Sequence, residues 1–117
     1  MNRKELIEAY KNTKSKIGVF QIRNTTNNKI FVEGSINLDS IWNRHRTQLN
    51  FGSHESPSLQ KDWNEIGEEN FIFEVLSEIK IDETNLFFDA RKEVATLEAM
   101  YKEELQSFGE KGYNKSK

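Results

Sequence analysis

The spacing of apolar residues divides the chain into short strand-like and helix-like segments. Leu6, Ile7 and Tyr10 share one side of a helix predicted over Arg3–Asn12. Two β-like runs follow, Ile17–Arg23 and Lys29–Ser35, offering Val19, Phe20 and Ile22, then Ile30, Phe31 and Val32. The link between them, Asn24 to Asn28, is rich in asparagine, which tolerates positive φ and suits a hairpin turn. Leu38, Ile41, Trp42, His45 and Leu49 recur at helical spacing and predict a helix over Leu38–Phe51. Asp39 or Ser40 is the expected cap, and Gly52 with Ser53 the expected end. Ser56 before Pro57 marks the start of another helix, with Leu59, Trp63 and Ile66 on its buried face and Gly67 as its stop. Phe71–Leu76 predicts a third strand, with Phe71, Phe73 and Val75 on one face. Leu86, Phe87, Ala90, Val94, Leu97, Tyr101 and Leu105 then predict one long helix over Glu83–Gln106, ahead of a glycine-punctuated tail from Gly109 to Asn114. The order α-β-β-α-α-β-α implies an α+β fold, a small three-stranded antiparallel sheet flanked by helices.

The 117 residues fit one domain, with a core over about 17–114 and a helical extension over 1–16. Charged residues reach 31%, but 8 Phe, 3 Tyr and 2 Trp argue for a folded chain rather than a disordered one. With no cysteine, a disulfide framework and a thiolate metal site are both excluded. No apolar run approaches membrane-spanning length and the N-terminal stretch has no apolar signal core, so the cytoplasm is the expected address and no membrane partner is expected. The net charge of −2 hides an asymmetry. Through Lys61 there are ten Lys/Arg against five Asp/Glu, and from Asp62 onward seven against fourteen. That distribution suits one face that meets phosphate and another that stays solvated; charge scattered over both faces by folding is the competing reading.

Candidate chemistry is sparse. Glu98 sits mid-helix beside Leu97 and near Tyr101, at the edge of the apolar stripe. A carboxylate aimed at a sheet is costly unless it meets a cation or hydrogen-bond donors, and one such group can hold Mg²⁺ with water completing the shell. The bland reading of Glu98 is a solvated glutamate on an acidic helix. Arg44, His45 and Arg46, with Lys61 further on, form a basic cluster whose guanidinium groups suit phosphate and whose imidazole can move a proton. His45, however, lies on the apolar side, where a satisfied core histidine is common, and His54 is a loop histidine of similar ambiguity. No phosphate-binding glycine loop, zinc ligand set or nucleophile elbow is present. Trp42, Trp63, Phe71 and Phe73 fit the core period rather than a base-stacking platform.

Taken in order, these segments resemble the GIY-YIG nuclease family over roughly Gly18 to Asn114. Gly18-Val19-Phe20 stands at the first motif and Phe31-Val32-Glu33 at the second, with QIRNTTNNKI between them. NLDSIWNRHRTQL, GSH, LQKDWNEIGEENFIFEVL and GYN are similar to later segments of small bacterial and homing-type members. The resemblance implies a nucleic-acid endonuclease, on DNA or alternatively RNA, with a single Mg²⁺ or Mn²⁺ held at Glu98 and a histidine at His45. Arg44, Arg46, Lys61, Arg23 and His54 are the candidate nucleic-acid contacts, with Arg44 also a catalytic candidate.

Four positions depart from that pattern. The tyrosines of the two motifs fall on Phe20 and Phe31, the phosphate-neutralising arginine on Ile41, and the glycine of the second motif on Glu33, just before Gly34. Phenylalanine keeps ring volume but has no hydroxyl to hold or deprotonate water. Isoleucine cannot offset charge on phosphate, and Glu33 adds a negative charge beside the cleft. Arg44 lies one helical turn from Ile41 and can reach the same space. Three readings follow: an endonuclease with a rearranged site, a DNA-binding module that does not cut, and a protein-interaction domain.

Overall fold

Three apolar segments, β1 (Ile17–Asn24), β2 (Ile30–Ser35) and β3 (Phe71–Ile79), pair antiparallel in the order β2-β1-β3. In this computed structural model residues 16–82 and 84–114 are described, and the helix expected over Arg3–Asn12 lies outside them. The central β1 is buried along most of its length because helices cover both sheet faces. Asn24 and Lys29 close the hairpin, where Asn28 adopts φ 63°, as its asparagine side chain permits.

On one face, Phe20, Ile22, Phe31 and Phe71 pack against Leu38 and Leu49 of α1 (Leu38–Phe51) and against Leu59 and Trp63 of α2 (Pro57–Ile66). Trp42 stacks on Phe73 and meets Trp63 edge-on, which confirms these aromatics as core. On the other face, Ile17, Val19 and Val32 meet Ala90, Val94, Leu97 and Tyr101 of α3 (Ala90–Leu105). Ser56 caps α2 and Gly67 ends it, as expected, and Gly52 closes α1 at φ 77°.

Three expectations need correction. Asn37, not Asp39 or Ser40, caps α1, because its side chain sits three residues before the Ser40 N–H and accepts from it. The long helix starts at Ala90 rather than Glu83. Asp82 and Asn85 accept from the backbone N–H groups of Thr84 and Phe87, local turns that compete with helix, and Asp89 then caps α3. Leu86 and Phe87 are consequently exposed instead of joining the stripe. The third strand continues to Ile79, and Val75 leaves the shared face with Phe71 and Phe73 uncovered, at 50% exposure. Phe20 pairs with Val75 but Val19 pairs with Ser77, so Leu76 is the extra residue of a bulge and turns to the Val19 side.

Gly34 positions α3. A Cβ there would lie 2.3 Å from Val94 Cγ1, so only glycine lets the helix approach β2 this closely. Gly34→Ala is expected to cost about 1–3 kcal/mol of stability through overpacking. Urea denaturation would reveal it, and an unchanged midpoint would mean that the contact is not tight.

Candidate functional site

The outer edge of β2 carries backbone groups that β1 cannot satisfy, and two side chains and one backbone N–H from elsewhere take them up. Asn114 accepts from Val32 N at 2.8 Å and donates to Val32 O at 2.9 Å, while Tyr113 N donates to Ile30 O. Glu98 Oε1 accepts from Gly34 N at 2.7 Å, and its Oε2 lies 3.6 Å from Lys102 Nζ. Glu98 is therefore an engaged carboxylate, 26% exposed, rather than a solvated one. Glu98 and Glu33 line two adjoining depressions along this edge. One is completed by Ile41 and Arg44 of α1 with Arg91 of α3, and the other by Phe31, Glu55, Lys102 and Asn114. Arg44 and Arg91 are both exposed, and neither has an ion-pair partner among the described residues.

Behind the groove runs a buried polar chain. Ser56 N donates to His54 Nδ1 at 3.0 Å, His54 Nε2 lies 2.7 Å from His45 Nδ1, and His45 Nε2 lies 2.5 Å from Glu33 Oε2. A backbone N–H has no other state than donor, so His54 Nδ1 must accept and its proton sits on Nε2. His45 Nδ1 then accepts in turn, which puts the proton of His45 on Nε2, pointing at the Glu33 carboxylate. Burial, then the neighbouring His45 ring, pushes the His54 pKa down to about 4, in keeping with a neutral ring at this position. Phe20 presses edge-on against His45, Phe31 meets both imidazoles, and both phenylalanines lie in the core.

Glu98, Glu33, Ile41 and Arg44 thus share one groove, with His45 and His54 reached through Glu33. The other basic candidates are elsewhere. Arg46 pairs with Glu68 at 3.2 Å and lies over the Trp42 ring. Lys61 is an exposed partner of Glu65 on its own helix. Arg23 donates to Glu74 at 2.8 Å, a bond that holds the Glu74 carboxyl below its usual range. Three participants escaped the sequence: Arg91, Asn114 and the pairing of the two histidines. Arg91 carried a signal, since it precedes Glu98 by seven residues and so shares its helix face. Tyr113 also belongs to this network, donating to Asp62 at 2.7 Å, and burial followed by that carboxylate raises its hydroxyl pKa.

The low pKa of His54 has a stability consequence. Its folded value of about 4 is below the ordinary 6.5, so protons favour the unfolded chain. The contribution is intact above pH 6.5 and is lost as pH falls from there toward 4. The melting temperature should decline across that window, and His54→Gln should flatten the decline; equal slopes in both proteins would contradict a buried neutral ring.

No family model matches the chain. Intron-associated endonuclease 1 of Enterobacteria phage T4 is 40% identical over 52 residues, a stretch covering 44% of this chain and only 21% of that protein. The catalytic domain of homing endonuclease I-TevI superposes with a TM-score of 0.73 at 31% identity, covering 87% of this chain and 100% of that domain. A point mutant of the I-TevI catalytic domain gives 0.71 at 31% identity, covering 85% of this chain and 92% of the other. The sheet order and flanking helices therefore extend to a complete catalytic domain matched end to end at this identity, and the chain belongs to the GIY-YIG endonuclease family, with the fold of its I-TevI-like catalytic domains.

Proposed function

We propose that the domain binds DNA along the β2 edge and hydrolyses its phosphodiester bonds with the help of a divalent cation, RNA being the alternative substrate. The observation that supports this most is the meeting of Glu98, Arg44 and Arg91 in one groove, an anion-binding pair facing a half-buried carboxylate. Arg44 and Arg91 would hold successive phosphates from opposite lips, as unpaired guanidinium groups suit bidentate contact. Arg44 and Arg91 border Ile41, so the charge that the resemblance assigns to position 41 has two neighbouring sources. Among the described residues no three His, Asp or Glu side chains form a cation cage. Mg²⁺ does not require one, because it commonly takes one or two carboxylates plus water and substrate phosphate. Glu98 would hold it, and Mg²⁺ or Mn²⁺ would supply positive charge against the phosphate oxygens.

A second reading, a domain that binds DNA without cutting it, is favoured by one observation. Phe20 and Phe31 bring only ring carbon to the two histidines, where a tyrosine would bring a hydroxyl.

With Mg²⁺ or Mn²⁺, the domain is expected to nick supercoiled plasmid, and Glu98→Ala to slow nicking on the order of 10²-fold or more. DNA affinity should fall with salt, and removing Arg44 and Arg91 together should lower the log–log slope by about 2. Binding with no nicking would leave the second reading standing; no binding at low salt would dispose of both.

A further inference from the structure

Resting on the hydrolytic reading above, we propose that Glu33 is the group that takes the proton from the attacking water, with His45 and His54 as its positioning residues. The two carboxylates of the groove are not equivalent. Glu98 has both oxygens engaged, one by Gly34 N and one by Lys102. Glu33 has only Oε2 engaged, by His45, and Oε1 has no hydrogen-bond partner among the described residues. The Glu33 side chain is 28% exposed and borders both depressions, so its free oxygen belongs to a group that substrate water can reach.

The buried chain behind Glu33 makes it a directed acceptor rather than a loose one. The Ser56 N–H sets the His54 tautomer, His54 sets that of His45, and His45 must present an N–H to Glu33. Both rings are held by aromatic neighbours, which costs the carboxylate little further ordering when substrate arrives. The charged groups around Glu33 come from three directions: His45 and Arg44 on α1, Arg91, Glu98 and Lys102 on α3, and Glu55 in the loop before α2. Arg44, Arg91 and Lys102 provide the positive charge that lets a phosphodiester approach two carboxylates.

Water adds its oxygen to phosphorus while one of its protons passes to Glu33 Oε1. The bond from phosphorus to the leaving sugar oxygen breaks, and that oxygen takes a proton from solvent. Glu33 then returns its proton to solvent, and the products are a phosphate monoester end and a sugar hydroxyl.

The test measures single-turnover cleavage of a labelled duplex with Mn²⁺, and duplex affinity by fluorescence anisotropy, for wild type, Glu33→Gln, Glu33→Gly, His45→Gln and His45→Ala. Thermal melts confirm which variants fold, and Glu33→Gly serves should Glu33→Gln fail to. Loss of the acceptor should slow cleavage on the order of 10² to 10⁴-fold while affinity stays the same or rises. His45→Gln keeps an N–H donor and should retain much more of the rate than His45→Ala, a difference that simple destabilisation does not produce. A Glu33 variant that cuts as fast as wild type or faster would overturn the proposal, making Glu33 a plug over His45 while the nuclease reading survives. Binding without cleavage by every protein, including Glu33→Gly, would overturn both.

Discussion

The open edge of β2 is the constraint on which the rest of the site depends. An edge strand exposes a row of donors and acceptors, and left bare it invites pairing with another chain. Here the row is answered at each outward-facing position by a different device: Tyr113 N at Ile30, the Asn114 amide at Val32, and the Glu98 carboxylate at Gly34. The same side chains that quiet the edge are therefore the walls of the groove. Stability and site geometry rest on one set of hydrogen bonds, so a change at Gly34 reaches the groove through Val94 and Glu98.

The two sheet faces divide the labour. One is an aromatic core under α1 and α2, into which Phe20 and Phe31 fit as pure packing groups. A polar chain, Glu33–His45–His54, runs through it and is anchored at its inner end by the Ser56 backbone N–H. Such a chain holds each ring in one tautomer, whereas the loss of one member would leave a buried ring nitrogen without its partner. The opposite face delivers α3, whose role is to bring Arg91, Glu98 and Lys102 to the edge.

Among the described residues, element types and order were readable from apolar spacing, because each strand and helix had to bury one face against the sheet. Caps written in Ser56-Pro57 and Gly67 were equally plain. The start of α3 was not, since Leu86 and Phe87 continue a helical period that Asp82 and Asn85 interrupt by binding their own backbone. Nor was the bulge at Leu76, which depends on how β1 and β3 register and not on either strand alone. Of the site, Glu98 and Arg44 could be singled out by residue type and helix face. The partnership of His45 with His54 could not, because it is made by a loop and a helix meeting over Phe31. Asn114 stood only as the last residue of the GYN segment, since an asparagine near a glycine-punctuated tail looks like a turn residue until its edge partner is seen.

The Asn114–Val32 contact joins residues 82 positions apart, and the Glu98–Gly34 contact spans 64. Contacts of such long range form late when a chain folds, after local hairpins and helices have assembled. The hairpin of β1 and β2 is made of neighbours in sequence and can close early, but its outer edge has no cover until the final helix and the residues after it have docked. A chain emerging from a ribosome would hold this edge bare from the completion of β2 until Asn114 is made. The groove is then the last part of the domain to exist, and it comes into being in the same event that makes the sheet safe from pairing with its neighbours.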